Sequence, residues 1–337
     1  MRIMERLLES LPEHVEAAVE ARDAWRRQAT AGLEFLAQDL SRWAPGTVLR
    51  VAFLNGETEA HARIADATRQ ITDVCGVTLD FGLDPATGAY RRWTTDDTTH
   101  AAEIRVSFDQ GGYWSLVGTD STDPTLVGAD SPLGGAPHQR SLNLAGFGGI
   151  LPDDWAGTVR HEFLHALAFK HTHQNMRGPC EAEFRWEDDE GYAPTRNDRG
   201  VFIADEAGRR PGVYTYLGGP PNRWSRTRVD ANLRTTESDD TLAGPFDADS
   251  VMLYQFEPFF YRTAPSPCAP TGNGIDLSAG DIRGLQMLYP PHDKELAARA
   301  ETALTALSGG SESAGDGDPY RQRLLDVLRG LSEGRVP

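Results

Sequence analysis

The sequence predicts an α+β fold, a mixed sheet with helices packed on it and helical extensions at both ends. Three observations predict it. Short runs rich in Val, Leu, Ile and Phe stand at 47–54, 77–81 and 103–108, with a helical pattern over 57–74 between the first two. Residues 155–170 place Val159, Phe163 and Leu167 on one helical face, and Asp153 or Asp154 stands where an N-cap belongs. The 34 glycines and 21 prolines imply many turns and irregular loops, which a helical bundle would not carry.

The elements follow in order. Leu8, Leu11, Val15, Ala18, Ala21 and Trp25 recur at spacings of three and four, as do Leu33, Leu36 and Leu40, so 1–43 reads as mostly helical. Ser10 and Glu13 have capping-box spacing, and Pro12 is tolerated only in a first turn, which starts the main helix there. Ala44-Pro45-Gly46 breaks that pattern. Thr47 to Leu54 is a largely buried strand ended by Asn55-Gly56, and Val77 to Phe81 and Glu103 to Phe108 are the next two. Gly111 to Gly118 leads into a Gly/Pro/Asp-rich loop that runs to about residue 140. From 174 to 248 the text is loop-like, and an irregular stretch of that length is either functional or poorly ordered. Residues 292–307 are helical again, Ser308 to Gly317 is a flexible linker, and Leu324, Leu325, Val327, Leu328 and Leu331 mark a last short amphipathic helix. The chain thus divides into a helical extension (1–45), a central domain (46–290) and C-terminal helices joined by a linker (291–337).

Bulk properties exclude several functions. Hydrophobic residues at 39% and charged residues at 25% suit a globular protein with a real core. A net charge of −17 argues against nucleic acid, because binding phosphates requires a basic surface. No run of eighteen apolar residues exists to span a membrane. Met1 to Arg6 opens no apolar signal segment, so a cytoplasmic location is the default and non-classical export stays open. The oligomeric state is not encoded legibly. Cys75, Cys180 and Cys268 make no disulfide framework; they read as free buried thiols, with Cys180 and Cys268 the pair if one bridge forms. Glu187 to Glu190 reads as a solvated acidic face rather than a calcium site.

The chemistry concentrates at His161-Glu162-Phe163-Leu164-His165, the pattern H-E-x-x-H. On a helix, residues i and i+4 share a face, so the imidazoles of His161 and His165 converge on one point. Neutral imidazole nitrogen suits Zn²⁺, and the Glu162 carboxylate reaches a reacting water rather than the metal, where it serves as general base. His171 lies six residues beyond His165. On a continuing helix it would be rotated about 240° away, so it ligates only if the helix stops and the chain turns near 168. His173 is the fallback third ligand, and Glu181 or Glu187 a more distant one.

The string H-E-F-L-H-A-L-A-F-K-H resembles the metzincin signature of zinc peptidases, and its wording is most similar to the astacin branch. The family usually has glycine where this chain has Ala168, because the turn requires positive φ. Downstream, Ser250-Val251-Met252-Leu253-Tyr254 resembles the family's S-x-M-x-Y turn. That resemblance implies Met252 as an apolar floor under the histidines and Tyr254 as an oxyanion-side group. Leu277 to Tyr289, with Ser278 as N-cap and Asp281 in an acidic first turn, resembles the closing helix. Tyr113, Trp114, Ser115 and Leu116 resemble the edge strand along which such enzymes lay an extended substrate, followed by the short strand Ser141 to Leu144.

The resemblance covers roughly 46–290. It implies a metzincin-like catalytic domain that binds one Zn²⁺ through His161, His165 and His171 and hydrolyses peptide bonds of a protein or peptide substrate. Two other classes stay open: a zinc-stabilised protein-binding module that does not turn over substrate, and an intracellular effector with a single protein target. Latency is not implied by these residues. Cys75-Gly76-Val77 lies between a core helix and a core strand and reads as a structural thiol, and 1–43 reads as packing on the domain or binding a partner rather than as a pro-segment.

Overall fold

The computed structural model describes residues 9–29, 41–44, 46–235 (save 129, 148, 150 and 152), 244–291 and 300–305, with scattered positions beyond. Leu33, Leu36, Leu40, the 308–317 linker and most of the last helix lie outside the described residues.

Five strands build the sheet: β1 (Val48–Phe53), β2 (Thr78–Asp80), β3 (Ile104–Ser107), β4 (Tyr113–Ser115) and β5 (Leu142–Leu144), in the order β2-β1-β3-β5-β4. Pairings β1–β2, β1–β3 and β3–β5 are parallel, and β4 closes the edge antiparallel to β5 with Trp114 opposite Asn143. The α+β mixed sheet read from the sequence is therefore present. Leu49, Val51, Phe53, Ile104, Val106, Leu142 and Leu144 alternate along their strands into one core, while Ala52 on the other face packs with Trp93 and Ala102, so burial on both faces accounts for the apolar run of β1.

Two helices cover that core. One is α2 (Thr58–Ala67), continued by the single turn α3 (Arg69–Thr72), which together replace the one helix expected over 57–74. The other is α4 (Trp155–Ala166), whose Val159, Phe163 and Leu164 are buried. Asp154 holds the N-cap position of α4, although its side chain makes no capping hydrogen bond. Gly157 is required by close approach, since a Cβ there would lie 2.0 Å from the Gly274 carbonyl oxygen. The loop after β4 is tied down by Arg105. Its guanidinium is fully buried and donates to the carbonyls of Gln139, Ser121 and Gly134, and burial pulls its pKa down to about 10.

The stretch from 174 to 248 departs from its loop-like reading. It holds α5 (Cys180–Glu183), the hairpin of β6 (Thr195–Arg196) with β7 (Phe202–Ile203), α6 (Val213–Gly218) and α7 (Arg226–Leu233). These pieces are too short for a periodic signal. They are held by a second core of aromatic side chains, among them Phe184, Trp186, Tyr214, Trp224, Phe256 and Phe260. The acidic run keeps a solvent-exposed face, with Glu187, Asp188 and Glu190 exposed, while Asp188 accepts from the Gly212 N–H, Asp189 pairs with Arg210 and Glu187 with Arg226.

Cys180 and Cys268 are joined, which corrects the expectation of free thiols, and Cys75 alone is a free buried cysteine among the described residues. Both partners are buried in the second core, so the bond closes an irregular region whose local elements could not define it. Replacing both by Ser should cost about 4 kcal/mol, because the bridge spans 88 residues. The check is the urea midpoint of the double variant against the parent.

The last long-range elements are α8 (Ala279–Leu288) and, at the other end of the chain, α1 (Glu13–Ala29). Ser278 and Asp281 form the expected capping box on α8. Helix α1 lies on the edge strand, where Val15 packs with Trp114, Leu116, Leu126 and Leu133. No described helix is long and apolar enough to cross a membrane.

Candidate active site

Helix α4 ends at Ala166, four residues short of the expected 170. Ala168 takes φ +69°, its N–H bonds the His165 carbonyl at 2.8 Å, and the Phe169 N–H reaches back to Leu164 at 3.0 Å. These paired bonds are a Schellman stop, usually built on glycine, and alanine bears a strain of about 1 kcal/mol there. The bend redirects the chain so that His171 faces His161 and His165 instead of pointing away.

The three rings converge. His165 Nε2 and His171 Nε2 are 3.1 Å apart, close to the spacing two nitrogens share on one zinc ion when each bond is about 2.0–2.1 Å. His161 Nδ1 lies 2.8 Å from the Val251 carbonyl and His165 Nδ1 2.7 Å from that of Phe169. A carbonyl only accepts, so both Nδ1 atoms carry the proton and both Nε2 lone pairs face the common point. That is the outer support a metal-binding histidine uses, and the donor set fits zinc.

A fourth group completes the cluster, and sequence reasoning missed it. Glu9 Oε2 is 2.5 Å from His161 Nε2 and 3.3 Å from His171 Nε2, and its Oε1 is 3.0 Å from His165 Nε2. Among the described residues, Glu9, His161, His165 and His171 form the group able to hold a metal ion, their ligand atoms within 4.8 Å of one another. Burial alone would raise the Glu9 carboxyl, but its interactions with His161, His165 and His171 carry it well below the usual carboxylate range. Burial pulls His171 down to about 4, the neighbouring imidazoles adding to the fall against the opposing pull of Glu9. The segment around Glu9 is anchored independently of the rings. Arg228 of α7 donates to Ser10 Oγ at 2.8 Å and to the Leu11 carbonyl, Asn232 donates to Glu16, and Arg22 pairs with Asp120. The described part of the N-terminal extension thus packs on the domain, across the histidine cluster.

Glu162 is buried beside His161 and lines a cavity that opens from the cluster. Tyr254 stacks on this group, its ring 4.4 Å from that of His171, and its hydroxyl donates to the Glu9 carbonyl at 2.7 Å. Burial, reinforced by the Glu9 and Glu162 charges, raises the Tyr254 pKa well above the ordinary phenol value, so it is a neutral donor. His173, the fallback ligand, turns elsewhere. Its Nε2 lies 2.8 Å from the Asn232 carbonyl while its ring packs against those of His171 and Tyr254. Glu181 pairs with Arg234 and Glu187 with Arg226, so neither alternative glutamate reaches the cluster. Cys75 donates to the Ile71 carbonyl after α3, away from the cluster.

Met252 is buried in the main core, and its carbonyl accepts from the Thr172 N–H, tying the turn to the strand-like segment that carries His171. Beneath this turn lies Asp281, read from the sequence only as a cap. Its carboxylate accepts from Ser250 Oγ at 2.6 Å, from the Val251 N–H at 3.0 Å and from the Ser278 N–H at 3.0 Å. Val251 in turn holds His161, so Asp281 positions a metal-cluster residue through one peptide. Asp281→Ala leaves three buried donors unmet and should cost about 3 kcal/mol, measured by thermal melting. Tyr113 lines the cavity, whereas Trp114 and Leu116 are buried against Val15 of α1 on the sheet edge, and Ser115 is buried beside them.

No family model and no curated protein matches the chain. Solved structures do. One structure of myroilysin is 23% identical, over 75% of this chain and 97% of that one, at a TM-score of 0.48. A second myroilysin structure is 20% identical over 85% and 99% of the two chains, at a TM-score of 0.42. High choriolytic enzyme 1, a hatching enzyme zinc-protease from Oryzias latipes (Medaka fish), is 17% identical over 74% of this chain and 95% of that one, at a TM-score of 0.41.

Proposed function

We propose that this chain is a zinc-dependent endopeptidase, and that the folded state with α1 in place is its closed form. The observation that carries the proposal is the convergence of three imidazole Nε2 atoms on one point, with a buried carboxylate on the same helix turned to the adjoining cavity. His161, His165 and His171 would hold the ion, which supplies Lewis acidity toward the scissile carbonyl and acidifies water. Glu162 then takes the proton of the attacking water and passes it to the leaving amine. Tyr254, a neutral phenol, donates to the oxygen that gains negative charge, a task open to its hydroxyl once Glu9 withdraws. Met252 is the apolar floor under the rings, and β4 the edge on which an extended peptide adds as a strand. In the closed form Glu9 stands where water and substrate carbonyl must enter, and α1 covers that edge.

A purely structural zinc site has no use for Glu162, which favours an enzyme over a binding module. The disulfide also favours an oxidising compartment over a reducing cytoplasm. Denatured casein is the test substrate. Cleavage should stop on chelation and return on adding zinc, and a chain that holds one zinc yet cleaves nothing after removal of the Glu9 carboxylate would contradict the proposal.

A further inference from the structure

The cavity beside Glu162 has a composition that the histidine cluster does not require. Its walls are apolar and aromatic, formed by Val251, Phe256, Phe260 and Tyr216, and acidic side chains stand around it at Asp154 and Glu257. Among the described residues no lysine or arginine lines it. Gly157 and Gly274 meet so closely on one side that the wall has no room to widen there. We propose that this cavity selects substrates by taking a lysine or arginine side chain next to the scissile bond, its aliphatic stem against the aromatic walls and its cation toward Glu257 and Asp154. The proposal rests on the peptidase reading and deepens it.

The chemistry follows from the lining. A long basic side chain is the one type that satisfies both parts, an apolar stem for the walls and a charge for the carboxylates. An acidic side chain would bring like charge to Glu257, and a plain aliphatic one would fill the walls without meeting the carboxylates. The field at the wall is felt by Tyr216, whose pKa is pushed up to about 12 by burial and then by the charge of Glu257. That phenol stays neutral and does not offset the carboxylates.

The test profiles cleavage sites by mass spectrometry in a denatured peptide library, with the full chain carrying Glu9→Ala and one zinc bound. Lys and Arg are expected at one fixed position flanking the cut bond, about tenfold enriched over Asp and Glu. Adding Glu257→Gln should shrink that ratio several-fold, and Glu257→Lys should turn it toward acidic residues. Asp154→Asn is the second variant, so that a folding defect in one leaves the other informative, and zinc content and circular dichroism report the fold of each. Cleavage without basic enrichment, or with enrichment indifferent to both carboxylates, overturns the selectivity and leaves the peptidase standing. No cleavage at all by the zinc-loaded chain overturns the peptidase and the selectivity together.

Discussion

Glu162→Gln is expected to keep its zinc and lose turnover by about 10²–10⁴-fold. The amide has the size of the carboxylate it replaces but no basic lone pair for a proton. Binding of the ion should hardly change, because Glu162 is not among the residues whose ligand atoms cluster. The measurement is the initial rate on a fluorogenic peptide, normalised to zinc content, in the background that carries Glu9→Ala. Equal rates for Gln and Glu would remove the general base from the mechanism and return the chain to the class of zinc-stabilised binding modules.

Glu9→Ala is expected to raise the rate of the full chain by about 10²-fold or more. A carboxylate tethered at the cluster competes at an effective concentration near the millimolar range, which a free peptide does not match. The Glu9 side chain reaches the rings through contacts of 2.5, 3.0 and 3.3 Å, so its loss opens access to the cluster and weakens the closed form in which the Glu9 carbonyl holds Tyr254 and α1 covers the β4 edge. Glu9→Gln should fall between, since an amide oxygen is a poorer partner for zinc. A rate unchanged by both substitutions would mean that the N-terminal segment is a structural support and not a block.

What was legible in the sequence depended on how local its cause was. Strands β1, β2 and β3 and helix α4 announce themselves because burial concentrates apolar side chains in neighbouring positions, whereas β5 was read only through the resemblance. The clustering of the histidines was legible because H-E-x-x-H encodes a helical spacing, and His171 joins the other two through the bend at Ala168, where positive φ is found. Region 174–248 was illegible. Its helices run four to eight residues, and its core is assembled from aromatics scattered between Phe184 and Phe260 and closed by a disulfide. Glu9 and Asp281 were hidden for a different reason. Each is an ordinary acid in its own helix-start context, a residue before Ser10-Leu11-Pro12 and a partner of Ser278, and acquires its second role from chain that is distant in sequence. Glu9 meets histidines more than 150 positions away, and Asp281 meets a turn 30 residues upstream.

Zinc content tests most directly whether three imidazoles meet at one cation. The full chain, dialysed against buffered zinc, should retain one ion per chain, and His171→Ala should weaken that binding by more than about 100-fold while keeping its circular dichroism. Undiminished zinc affinity in His171→Ala would contradict the convergence at the bend.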